Sequence, residues 1–152
     1  MDNWMEYQKT FYEVADRRYE TNMQNISQQY DWDFVKGVIR SLNEFEYSLD
    51  PKKDITIFRI KHNNRAKNFL YYFVGNDVIY FNAERTESDN VSGLNMTIFK
   101  NVKLKKIKYT GSMQAQIGNF IADFGEFVIE IEADTYENKE DMKVAMQHLV
   151  NM

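Results

Sequence analysis

Two histidines, His62 and His148, are the only imidazoles, and no H-x-x-x-H or H-E-x-x-H spacing exists to make a metal-binding pair. Neither lies near a Ser or Asp grouping that resembles a nucleophile elbow or a triad signature. Cysteine is absent, which removes thiolate catalysis, disulfides and cysteine zinc sites together. The six glycines stand at 37, 75, 93, 111, 118 and 125 and never form G-x-G, so no phosphate-cradling loop can be written. Asp123-Phe124-Gly125 copies the magnesium tripeptide of protein kinases, but the H-R-D loop and V-A-I-K strand that would accompany it are missing. The tripeptide reads as a turn. No catalytic residue and no cofactor is expected.

Charged residues fall into three groups. Asp31 and Asp33 lie at a helix start, where carboxylates complement unsatisfied N–H groups. Glu126, Glu130 and Glu132 would share one face of a late strand, with adjacent positions ~7 Å apart. Such a row can bind a hard cation, or it is a solvated face opposite lysines. Lys100, Lys103, Lys105, Lys106 and Lys108 put five lysines into nine residues. They read either as protection of an exposed strand edge or as an anion-binding strip. The net charge of −4 argues against general nucleic-acid binding.

Aromatic residues give the remaining signal. Phe69, Tyr71, Tyr72, Phe73, Tyr80 and Phe81 load both faces of one hairpin, because successive strand residues point opposite ways. Either N-terminal helices carrying Trp4, Phe11, Phe34 and Phe45 cover the second face, or it meets a partner. In the open case Tyr72 and Tyr80 are interface candidates.

The elements that must position these residues follow from periodicity. Trp4, Tyr7, Phe11 and Val14 predict a helix over 3–29, and Asn3 with Glu6 has capping-box spacing. Phe34, Val35, Val38, Ile39, Leu42 and Phe45 predict a second over 33–47, stopped at 48–51 by Pro51. After Pro51 the period changes to that of strands: 54–61, 69–74, 78–83, 94–99, 102–110, 115–123 and 127–132. Gly75-Asn76-Asp77 makes the clearest hairpin. Val102 and Leu104 differ in parity from Ile107 and Tyr109, which predicts a bulge near Lys105-Lys106. Met142, Ala145, Met146 and Leu149 predict a terminal helix starting at Lys139, with Asn138 as its cap.

The expected fold is therefore α+β. A helical pair (1–50) packs on a bent antiparallel sheet of about seven strands closed by a C-terminal helix (51–152), all in one compact unit. No run approaches the ~18 apolar residues of a membrane span. Met1 to Glu6 carries acidic residues where a secretory leader needs basic ones, so a cytoplasmic location is expected.

Seven strands and one C-terminal helix, with 102–109 as a late strand and Gly125 at the last hairpin tip, resemble the pleckstrin-homology-like (PH-like) fold, nearest to small bacterial PH-like domains. The likeness covers the C-terminal two thirds and is one of element order. The family usually has a tryptophan in its last helix; here both tryptophans, Trp4 and Trp32, lie near the N-terminus. The resemblance implies a scaffold for binding peptides, proteins or lipids. Members that bind phosphoinositides carry basic residues at the first hairpin loop, where this chain has Lys61, His62, Arg65 and Lys67.

The expected role is non-catalytic recognition of another protein, with Lys103, Lys105, Lys106, Lys108, Arg65, Lys67, Tyr72 and Tyr80 as binding candidates. Three alternatives stand beside it. One is a small acidic inhibitor or immunity-type protein of a bacterium or phage that blocks an enzyme. The others are a divalent-metal enzyme using Glu126, Glu130 and Glu132, and an anionic-lipid binder.

Overall fold

The computed structural model describes residues 3–24, 29–59, 67–85, 91–111 and 118–133, and near the end 147, 149 and 150. The architecture is α+β, with two helices and two antiparallel sheets. The chain gathers into two units, Met1–Lys100 and Asn101–Met152. Pro51 thus marks a change from helix to strand inside the first unit.

In the first unit, α1 (Trp4–Gln24) and α2 (Gln29–Glu44) precede β1 (Ile55–Arg59), β2 (Lys67–Val74), β3 (Asp77–Arg85) and β4 (Val91–Phe99). The strands form an antiparallel meander in chain order. α1 packs on β1, and α2 packs on β4 and β3. The expected stripes do the packing: Phe11 and Val14 of α1, with Ala15, and Phe34, Val35, Val38, Ile39 and Leu42 of α2 are all buried. Phe45, placed on that stripe by spacing, is instead 60% exposed, because the helix has already ended. Gly37 lets α2 come close to β4; a Cβ there would stand 3.0 Å from Leu94 Cδ2.

Proline does not stop α2. Glu46 adopts a left-handed φ of 59°. Its N–H donates to the Asn43 carbonyl at 3.0 Å, and the Tyr47 N–H donates to the Leu42 carbonyl at 3.0 Å. These paired bonds form a Schellman cap, which favours glycine at the left-handed residue. Glu46→Gly is therefore expected to raise the unfolding free energy by about 1 kcal/mol, a gain that urea denaturation can read. An unchanged midpoint would mean that Glu46 is not strained.

β2 and β3 pair through Val74 opposite Asp77, leaving Gly75 and Asn76 as a two-residue turn. Gly75 has φ 58°, the backbone a II′ turn asks of its first central residue. At Lys105-Lys106, where a bulge is expected, the ladder from Lys106 onward runs without a shift, but the Lys105 N–H donates to the carbonyl of Asp123, the residue Lys106 itself faces, which sets two residues against one. A further register shift lies between Ala83 and Arg85.

The second unit holds β5 (Lys106–Gly111), β6 (Gly118–Asp123) and β7 (Val128–Ala133), antiparallel in that order. Among the described residues the seven strands thus divide into sheets of four and three. The phase slip at Lys105-Lys106 has a simple cause: residues 102–105 precede the strand, so the two parities belong to different segments. Strand is observed for 118–123, while 115–117 lie outside the described residues. In the hairpin from Asp123 to Val128, the Phe124 N–H donates to the Phe127 carbonyl at 3.0 Å and Gly125 has φ 89°. Asn138, Lys139, Met142, Ala145 and Met146 lie outside the described residues. Residues 147, 149 and 150 are helical, and Leu149 is fully buried.

Candidate functional site

Strand register decides which side chains share a face. In the second unit Lys106 stands opposite Asp123, which stands opposite Val128; Lys108, Ile121 and Glu130 form the next row. The other face carries Ile107, Ala122 and Ile129 in one row and Tyr109, Phe120 and Ile131 in another. Ala122 and Ile129 are buried, so this second face is the apolar one.

Among the described residues β5 is an end strand of its sheet. Lys106, Lys108, Tyr109, Thr110 and Gly111 are exposed, and Ile107 is half-buried. Lys103 and Lys105 are also exposed and lead into the strand. The Lys105 N–H donates to the Asp123 carbonyl at 2.8 Å, so the chain is already alongside β6 before the ladder begins. Four lysines at 103, 105, 106 and 108 therefore line one approach to the sheet. Lys100 is not one of them. It belongs to the first unit, where its Nζ lies 2.8 Å from Asp77 Oδ2, and that hydrogen bond, with the Asp77 charge, raises its pKa. Tyr109, 42% exposed, is the residue sequence reasoning passed over. Its alternation with Lys106 and Lys108 was the available signal.

The remaining candidates separate. Lys61, His62 and Arg65 lie outside the described residues, and Lys67 opens β2 opposite Glu84. Glu126 is exposed in the turn before β7, Glu130 is exposed within β7, and Glu132 sits opposite Asn119. The three carboxylates do not occupy one strand, because Glu126 precedes the ladder. Among the described residues no three His, Asp or Glu side chains gather to hold a metal ion. Asp123 accepts the Gly125 N–H at 2.8 Å, as a turn residue does.

Tyr72 is a correction. It is fully buried, because β2 turns Leu70 and Tyr72 to the same side as Ile79 and Phe81 of β3, all of them buried. Its ring stacks on Phe11 of α1 at 6.2 Å. A residue enclosed in this way meets no partner. Tyr80, on the opposite face, is half-buried and stacks on Tyr71 at 4.6 Å. Burial, and then Tyr80, push the Tyr71 hydroxyl above its ordinary pKa, so it stays neutral.

The buried end of Tyr72 forms a polar cluster that composition did not reveal. Its hydroxyl donates to Asp54 Oδ2 at 2.7 Å, and the Asp50 N–H donates to the same oxygen at 2.8 Å. Close by, the Tyr7 hydroxyl donates to the Tyr47 carbonyl at 2.8 Å, tying α1 to the segment after α2. Asp54 is 3% exposed, and burial raises its pKa, with the Asp50 charge adding and the two hydrogen bonds opposing. The folded protein thus holds this proton more tightly than the unfolded chain. The linked stability is fully present below the ordinary value of 3.8 and is lost as pH rises through the raised value. Asp54→Asn removes the titration. Its stability relative to the parent is expected to be highest at neutral pH and to fall steadily as acidification protonates Asp54. Urea midpoints of both proteins from pH 7 to pH 4 check this; a constant difference would contradict it.

No family model, curated protein or solved structure matches the chain. Among the described residues, no helix is long and apolar enough to cross a membrane.

Proposed function

We propose that the chain is a PH-like recognition module that binds another protein through the β5 surface of its second unit, without a reaction of its own. The fold part of this reading is supported by the four-stranded sheet followed by a three-stranded one. Helical residues after the last strand, with Leu149 buried, agree with a helix that packs. The functional part rests on one observation: β5 exposes five of its six residues, with Lys106 and Lys108 on one face of the strand and Tyr109 on the other. Aromatic and cationic side chains together are the composition of binding surfaces.

The test is affinity capture from the source cells with the parent protein and with Tyr109→Ser/Lys108→Glu. A protein retained by the parent and lost by the variant, at unchanged thermal stability, supports the reading. Retention of every captured protein by both forms would overturn it.

A further inference from the structure

On the face of the first sheet turned away from α1 and α2, we infer a binding site for a neutral sugar ring, separate from the β5 surface. Strand parity builds it. Leu94, Met96 and Ile98 of β4 share the helix-side face with Ala83, Phe81 and Ile79 of β3, and Gly37 of α2 approaches Leu94 there. Asn95, Thr97 and Phe99 therefore stand on the opposite face, beside Asn82, Tyr80 and Val78. Asn95 and Thr97 are exposed, and Tyr80 is half-buried.

One row across this face carries the inference. It runs Tyr71, Tyr80, Thr97 over β2, β3 and β4. The two rings stack at a centroid distance of 4.6 Å with 27° between their planes. Adjacent strands lie ~4.8 Å apart, so the rings stand side by side, one to a strand. Tyr71 lies against one face of Tyr80, and the other face is turned toward β4, where the row ends in the short side chain of Thr97. A flat ring placed over Thr97 would extend the stack by one member. Among the described residues β4 is an end strand, so the rest of a longer ligand can leave over the sheet edge.

The surroundings select the chemistry of that ring. An aromatic π-face is electron-rich and attracts the weakly positive C–H bonds on the flat side of a pyranose. Asn82 and Asn95 follow Tyr80 and precede Thr97 by two residues, ~7 Å along their strands. Each amide offers a donor and an acceptor to neighbouring hydroxyls. On the other side of Thr97, half-buried Phe99 makes an apolar wall. Charge is remote from the site. Burial, and then Tyr80, raise the pKa of the Tyr71 hydroxyl, so it stays neutral. Arg59 opens the Asn82 and Asn95 row three strands away, ~14 Å from Asn95. Lys67 and Glu84, one row beyond, stand opposite each other in register with opposite signs. A nucleobase would also stack over Thr97, but its phosphates need cations close by, and the chain has a net charge of −4. The uncharged ring is favoured.

Saturation-transfer NMR on the full chain tests the site, with cellotetraose, mannotetraose and N-acetylchitotetraose as probes. At least one is expected to receive transfer, strongest at the ring C–H protons of one sugar unit. Thr97→Trp, which supplies the third ring from the protein itself, should abolish that transfer at an unchanged melting temperature. Thr97→Arg serves if the indole disturbs the fold. Asn95→Ala should weaken binding about threefold or more, the loss of one hydrogen bond. Tyr109→Ser/Lys108→Glu should leave sugar binding as it is, because those residues belong to the second unit. Transfer to none of the three probes would overturn the inference. Equal transfer to the parent and to both Thr97 variants would overturn it too, by placing the sugar elsewhere. A decathymidylate that displaces the sugar and binds more tightly would overturn it in favour of a nucleobase site.

Discussion

Asp54→Ala is expected to destabilise the protein by about 3 kcal/mol, measured by urea denaturation at pH 7. The carboxylate is almost fully enclosed and accepts two bonds, from the Tyr72 hydroxyl at 2.7 Å and the Asp50 N–H at 2.8 Å. Bonds to a charged group contribute about 1.5–3 kcal/mol each, and a buried hydroxyl left without a partner costs about 1–3 kcal/mol. Against this stands relief from burying a charge, which is why the sum is not larger. Two companion variants separate the contributions. Asp54→Asn keeps an acceptor oxygen while discarding the charge, so it is expected to cost about 1 kcal/mol or less. Tyr72→Phe keeps the ring stacked on Phe11 while removing the donor, and should fall between the two. If Asn is as damaging as Ala, the charge itself is needed and the description of this cluster is wrong.

Phe11→Ala should cost about 3–5 kcal/mol, the range for deleting a buried aromatic ring. Phe11 is fully buried where α1 meets the sheet, with Tyr72 stacked at 6.2 Å and Tyr12 edge-on at 6.1 Å. Its neighbours Val14 and Ala15 are short and fully buried, and Tyr72 is held by its bond to Asp54. A domain's whole stability is about 5–15 kcal/mol, so this one substitution removes a large share. Phe11→Leu, which keeps most of the volume, should restore much of the loss. A variant within about 1 kcal/mol of the parent would show that α1 is not seated on the sheet as described.

Local signals were readable along the chain, and long-range ones were not. The Phe11 and Val14 stripe, the Gly75 turn and the alternation of Ile129 with Glu130 each depend on neighbours within a few residues, and each appears in the structure. The division of the described strands into sheets of four and three is a long-range property, which no local pattern records. α2 begins at Gln29, ahead of its first stripe residue Phe34, because its first turn, Gln29-Tyr30-Asp31-Trp32, alternates polar and aromatic residues and so shows no helical period. Its end at Glu44 was hidden for the opposite reason. Glutamate has no preference for the left-handed angle, so nothing at position 46 announces a cap.

The candidate site divides in the same way. The sequence offers Tyr72 and Tyr80 together as candidates for an open face, but the register sets them on opposite faces of the hairpin, and parity cannot say which face a helix covers. α1 and its Phe11 cover the Tyr72 side. The five-lysine run split because Lys100 pairs with Asp77, 23 positions earlier, a contact no spacing rule reaches. Tyr109 enters the sequence pattern only through its parity, because the lysines of the same strand carry the stronger charge signal.

Trp4 and Trp32 both reside in helices of the first unit, α1 and α2, and the chain has no other indole. Tryptophan emission thus originates in that half. Far-ultraviolet dichroism, by contrast, records the strands of both units. Two optical traces that fail to superimpose would then be a direct reading of how independently the halves come apart.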